Sequence, residues 1–204
     1  MSATLSRLAA RRSLGLASVL AAAAVGLWAT PALADTSSPA CSGQSLSQPF
    51  AGLDDSSYYT LVPDGTFSDA SAAGWQLSGG ARIIQTTASD GSTANVLDLP
   101  SGSKAVTPVV CVTSSYPTAR MYVRNVVGAE GVFFYVSYEG TSTWTNPKNT
   151  GQVHGQHTAW TLSDPVNLQP FNTAGAQQVR FTLVPGGQSS DFQVDDFYVD
   201  PRML

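Results

Sequence analysis

Phe192-Gln193-Val194-Asp195-Asp196-Phe197-Tyr198-Val199 is the stretch that decides the fold. Successive side chains of a β-strand point to opposite faces. Here Phe192 and Val194 share one parity, whereas Phe197 and Val199 share the other. One extra residue at Asp195-Asp196, a β-bulge, reconciles the halves by turning all four apolar side chains inward. Further β-rich runs lie outward from it at Tyr58–Val62, Trp75–Leu77, Ala81–Thr86, Val96–Leu99, Val106–Val112, Arg120–Val126, Val132–Tyr138, Thr158–Leu162 and Val179–Val184. Gly, Pro, Asp or Ser clusters separate nearly all of them. Many short strands with regular turn signals, and no 3.6-residue period after the first 34 residues, predict a single all-β antiparallel sandwich over 50–204.

Alternation also assigns faces. Val132, Phe134, Val136 and Tyr138 form the better core side of one run, with Phe133, Tyr135, Ser137 and Glu139 opposite. Met121 and Val123 point inward in the neighbouring run, which leaves Tyr122 and Arg124 outside. Trp160 shares its parity with Leu162 and is expected in the core. Trp144 falls in the loop Gly140-Thr141-Ser142-Thr143-Trp144-Thr145-Asn146-Pro147. Sugar rings present apolar faces and hydroxyl edges, so they are held by an aromatic plate flanked by hydrogen-bonding groups. Tyr122, Arg124, Tyr135 and Trp144 are therefore the candidate ligand-binding residues, on one mixed face with Arg124 as donor. The alternative is that these aromatics only complete hydrophobic packing.

Two segments carry a resemblance. Leu61-Val62-Pro63-Asp64-Gly65-Thr66-Phe67, followed by Gly74-Trp75-Gln76-Leu77, and the Phe192–Val199 strand together resemble the two ends of a galactose-binding-like jelly roll, as found in carbohydrate-binding modules. The resemblance implies a sandwich whose first and last strands are adjacent, often around a structural calcium. The acidic residue that the family places after the early Phe is Ser68 here, so the implied ligands shift to Asp196 with Asp69, or with Asp64, plus backbone carbonyls. Calcium takes six to eight oxygens, and the alternative is a metal-free bulge. The layout also resembles small exported actinobacterial proteins.

The N-terminus sets the compartment. Arg7, Arg11 and Arg12 precede an uncharged apolar run from Leu14 to Trp28, and Ala32-Leu33-Ala34 follows. This order predicts a secretory signal peptide over 1–34, cleaved before Asp35, rather than a retained anchor; the general and twin-arginine routes both stay open. Residues 35–49 are rich in Ser, Pro and Gln and read as a tail. Its Cys41 and the distant Cys111 are expected to form a disulfide in an oxidising compartment, one worth about 4 kcal/mol in the chain-entropy model. Removing the three leader arginines from ten basic residues leaves seven against fourteen acidic ones, a charge of −7. That balance disfavours nucleic acid and anionic membrane as partners.

Enzyme motifs are missing from the sequence. There is no Gly-x-Ser-x-Gly elbow, and His154 and His157 lack further zinc ligands nearby. The adjacent carboxylates Asp54-Asp55 and Asp195-Asp196 do not bracket a glycosidic bond, which needs roughly 5–10 Å between them. The sequence thus predicts a secreted, non-catalytic module for a cell-envelope or environmental glycan, with a structural or protein-interaction domain as the alternative and a jelly-roll hydrolase behind both.

Overall fold

The computed structural model describes residues 41, 44–113, 118–140, 142–168 and 176–200. The expected signal peptide over 1–34, most of the tail up to residue 43 and the last four residues lie outside them. In chain order the strands are β1 (Thr60–Leu61), β2 (Gln76–Ser78), β3 (Arg82–Thr87), β4 (Thr93–Pro100), β5 (Lys104–Val106), β6 (Val110–Thr113) and β7 (Thr118–Val127). They continue with β8 (Val132–Tyr138), β9 (Lys148–Val153), β10 (Gln156–His157), β11 (Thr161–Leu162), β12 (Val166–Asn167), β13 (Ala176–Pro185) and β14 (Asp191–Asp200).

Two sheets form an all-β, predominantly antiparallel sandwich. Sheet I runs β10-β7-β14-β4-β3, with β1 also on β14 and β11 and β12 also on β7. Sheet II runs β2-β5-β13-β8-β9, with β6 also on β13. First and last strands meet as expected, Thr60 opposite Val199 and Leu61 opposite Tyr198. The bulge lies where parity demands it. Against β7, Asp195 faces Tyr122 and Tyr198 faces Arg120, three steps along β14 against two along β7. Asp196 absorbs the extra residue with φ 51°.

The bulge turns Phe192, Val194, Phe197 and Val199 to the interior, all fully buried. Phe197 meets Phe134 and Phe181 of sheet II, each at 5.7 Å between ring centroids, so the last strand locks the two sheets together. The early glycine motif supports this arrangement. Phe197 N–H donates to the Gly65 carbonyl and Val62 N–H to the Phe197 carbonyl. A Cβ on Gly65 would lie 2.7 Å from the Phe197 oxygen, so only glycine fits.

Cys41 and Cys111 are joined with Cα atoms 5.4 Å apart, tying the tail to β6. The following residues run onto sheet I, where Ser47 pairs with Tyr59 and the Phe50 ring is buried. The run predicted over Thr158–Leu162 begins earlier and is broken. β10 and β11 flank Thr158, whose φ of 60° interrupts the extended chain.

Candidate functional site

Single polar residues between buried apolar neighbours build the outer face of sheet I. Asp98 lies between Leu97 and Leu99, Gln193 between Phe192 and Val194, and Arg124 follows Val123. Period-two alternation turns each polar side chain away from the core. Strand register then sets them in one row, because Arg82 pairs with Asp98, Asp98 with Gln193 and Gln193 with Arg124. The side chains are linked across all four strands. Arg82 Nη2 lies 2.5 Å from Asp98 Oδ2, and Gln193 Nε2 donates to Asp98 Oδ1 at 3.4 Å. Arg124 donates to Gln193 Oε1 from Nε at 3.0 Å and also from Nη2. At the strand spacing of a sheet this row spans about 14 Å.

Exposure changes sharply between neighbours in the row. The Arg82 side chain is 58% exposed, whereas Asp98 is 1% exposed. Trp160 lies over the Arg124 guanidinium with 4.6 Å from ring centroid to Cζ, and its indole N–H donates to the Thr87 carbonyl at 2.9 Å. The β3–β4 hairpin tip approaches from the opposite edge, with Ser89 N–H donating to Asp195 and Ser89 Oγ to Asp196. A shallow depression of about 280 Å³ remains, lined by Thr86, Arg124, Val126, Thr158 and Gln193. Gly155 brings the covering loop this close, since a Cβ there would meet Val123 backbone and Asn125 Oδ1 within 3 Å. Thr158 N–H then donates to the Asn125 carbonyl.

Beside the row, the Asp191 carboxyl is pushed up to about 6 by burial and by the neighbouring Asp98 charge and hydrogen bond, with Arg82 opposing. A second, open depression of about 470 Å³ lies at the other end of the face. There Arg120 Nη1 meets Asp55 Oδ2 at 2.5 Å, and Tyr59 O–H donates to the same oxygen at 2.7 Å. Burial opposes ionisation of Asp55, but hydrogen bonds from Tyr59, the Ser57 amide and Arg120 outweigh it and hold the carboxyl down to about 2.

The residues singled out from sequence do not share one face. Tyr122 and Arg124 lie outside on sheet I, but Tyr135 belongs to β8 and lies outside on sheet II, where Trp144 stacks on Arg180 at 4.3 Å. Alternation identified the outward side of each strand correctly; the assumption that β7 and β8 neighbour one another in one sheet was the error. Tyr122 is further committed to packing, with its ring 6.2 Å from buried Phe50. Burial raises its pKa, as does the Asp196 charge. Trp160 is not in the core, because its strand breaks at Thr158 and the indole turns over Arg124. Asp98, Asp191 and Gln193 were not candidates from sequence and Trp160 was expected in the core, although the isolated polar residues of Leu97-Asp98-Leu99 and Phe192-Gln193-Val194 were legible as outward groups.

For calcium, Asp69 and Asp196 have separate partners. Asp69 is exposed and accepts the Ser71 amide at 2.8 Å, and Asp196 accepts Ser89 Oγ at 2.9 Å. Asp64 Oδ1 accepts the Asp69 amide, while its Oδ2 is buried without a hydrogen-bond partner. Among the described residues no group of three or more His, Cys, Asp or Glu side chains converges as metal ligands. This arrangement does not fit the six to eight oxygens calcium takes. His154 and His157 are exposed. No helix among the described residues is long and apolar enough to cross a membrane.

No protein-family model matches the sequence, and no curated protein matches it. The fold is similar to that of an arabinose-bound family GH51 α-L-arabinofuranosidase, with a TM-score of 0.51 and 18% identity over 73% of this chain and 27% of that one. It is also similar to a family 61 carbohydrate-binding module in complex with β-1,4-galactotriose, with a TM-score of 0.45 and 12% identity over 68% and 96% of the two chains. A third similar structure is the CBM22-1 xylan-binding domain of Paenibacillus barcinonensis Xyn10C, with a TM-score of 0.48 and 12% identity over 69% and 94%. At these identities the likeness speaks to the β-sandwich fold alone.

Proposed function

We propose that the protein is an exported, non-catalytic module that binds a neutral glycan along the Arg82–Asp98–Gln193–Arg124 row. The observation that carries this reading is the row itself, four in-register hydrogen-bonding side chains beside a half-buried Trp160 and a shallow depression. Guanidinium and amide groups donate to ring and hydroxyl oxygens, buried Asp98 holds Arg82 and Gln193 in place, and the indole offers an apolar plate. The open, shallow site and the one available plate set the expected affinity between about micromolar and millimolar for a short oligosaccharide.

An oligosaccharide array followed by calorimetry with xylohexaose and β-1,4-galactotriose tests the reading. Binding that disappears in Trp160→Ala and Arg124→Ala supports it; an array without hits overturns it. Export is tested by N-terminal sequencing of secreted protein, expected to start at Asp35. The second reading is a protein-interaction surface on sheet II, favoured by half-exposed Tyr135 and the Trp144–Arg180 stack. Substitution of Tyr135 and Trp144 separates the two faces. A structural calcium at Asp196 and Asp69 would require the Ser68–Ser71 loop to rearrange. Melting curves in millimolar calcium and in chelator test it, because an ion that binds only the folded state raises the melting temperature.

A further inference from the structure

Of the arginines on the outer face of sheet I, Arg82 pairs with Asp98 and Arg120 with Asp55. Arg124 has no ion pair among the described residues, because Gln193 stands between it and Asp98. The Gln193 amide is oriented from both sides: Nε2 donates to Asp98 Oδ1, which leaves Oε1 for the guanidinium. Asp195 and Asp196, further along β14, accept from Ser89 at the hairpin tip. The Arg124 guanidinium is held by one edge and one face. Nε and Nη2 donate to Gln193 Oε1, Nη2 also reaches Thr86 Oγ1 at 3.4 Å, and the Trp160 ring centroid lies 4.6 Å from Cζ. Nη1 has no acceptor among the described residues and is not sealed from solvent. Arg124 borders the depression of about 280 Å³, whose other lining residues, Thr86, Val126, Thr158 and Gln193, are all uncharged. A fixed guanidinium with an open N–H edge suits a carboxylate, because the two match in plane and a charge-assisted hydrogen bond is about twice as strong as a neutral one.

Resting on the glycan reading, we infer that Arg124 selects an acidic side group: the depression takes the carboxylate of a uronic acid carried as a branch on the neutral chain that lies along the row. Nη1 donates to a carboxylate oxygen, and the Thr86 and Thr158 hydroxyls in the same lining serve the sugar oxygens. The volume is at the lower end of small-molecule sites, which run upward from about 300 Å³, so it suits one ring and not a chain. Charge sets the same limit. Counted from Asp35 the chain has seven basic against fourteen acidic residues, a balance that repels a polyanion but not a neutral chain with sparse carboxylates. The inference thus divides the face: the row holds the main chain, and the depression at its Arg124 end reads the branch.

The experiment is calorimetry with xylohexaose, with a xylo-oligosaccharide of the same main-chain length bearing one glucuronic acid branch, and with the methyl ester of that branched sugar. The ester keeps the shape and removes the charge. The acid-branched chain is expected to bind about tenfold tighter than xylohexaose and than the ester at about 0.02 M salt, with the advantage shrinking several-fold at about 0.5 M salt. In Arg124→Gln, and in Gln193→Glu, which sets a carboxylate against the guanidinium, the acid should bind no tighter than its ester. The ester and salt comparisons are made on the wild-type protein and decide the matter even where a variant folds poorly. Xylohexaose binding that the acid branch does not improve, an ester that binds as tightly as the acid, or an advantage that survives in Arg124→Gln overturns the inference and leaves the glycan reading standing. If none of these sugars binds, both fall.

Discussion

The outer face of sheet I is built differently at its two ends. At one end the Phe50 ring is buried among Tyr59, Tyr122 and Tyr198, at centroid distances of 5.0, 6.2 and 5.5 Å, with the Arg120 guanidinium 5.3 Å from its centroid. The segment after the disulfide thus covers Tyr122 and Tyr198 with aromatic packing, beside the open depression at Asp55 and Arg120. At the other end no segment among the described residues fills the face. Trp160 and Arg124 border a depression, and the polar row behind them satisfies its own hydrogen bonds. Outward parity alone therefore does not mark a binding residue; what matters is whether the rest of the chain has already covered it.

The largest expected effect tests the aromatic-packed end. Phe50→Ala should cost about 3–5 kcal/mol in chemical unfolding as a core truncation, with sugar affinity unchanged in the folded fraction. A near-neutral result would mean that the Phe50 ring does not hold this end together. Trp160→Ala should do the reverse, abolishing sugar binding while lowering stability by about 1 kcal/mol. If Trp160→Ala unfolds the protein instead, the distinction between the ends collapses.

The carboxyls sharpen the contrast through opposite pH dependences. Asp55 is held low, so its contribution is present above the ordinary carboxylate range and is lost as pH falls toward about 2. Asp55→Asn should flatten the acid limb of the melting profile. Asp191 is raised, so its favourable contribution is present below the ordinary carboxylate range and is lost as pH rises through about 6. Asp191→Asn should therefore melt higher than wild type at pH 7–8 and converge with it near pH 4. The smallest effect is expected on sheet II. Tyr135→Ala should leave sugar affinity unchanged and shift stability by less than about 1 kcal/mol, consistent with its half-exposed ring. Loss of sugar binding there would move the site to the opposite face.

Much of the fold was legible in the sequence because its determinants are local. The parity change across Asp195-Asp196 required a bulge, and the bulge placed Val194, Phe197 and Val199 inside. Two cysteines in a chain with a secretory leader pattern pointed to the bridge that joins Cys41 to Cys111. Arg124 was identified as an outward donor for the same local reason. Tertiary structure alone decided which outward residues share a surface. β7 and β8 are consecutive in sequence yet lie in different sheets, which separates Tyr122 and Arg124 from Tyr135 and Trp144. It also aligned Arg82, Asp98, Gln193 and Arg124, which span more than 100 positions of the sequence. Alternation reports the side of a strand from its nearest neighbours, whereas sheet membership and register are set by hydrogen bonding between distant segments, and no period within a single run encodes that choice.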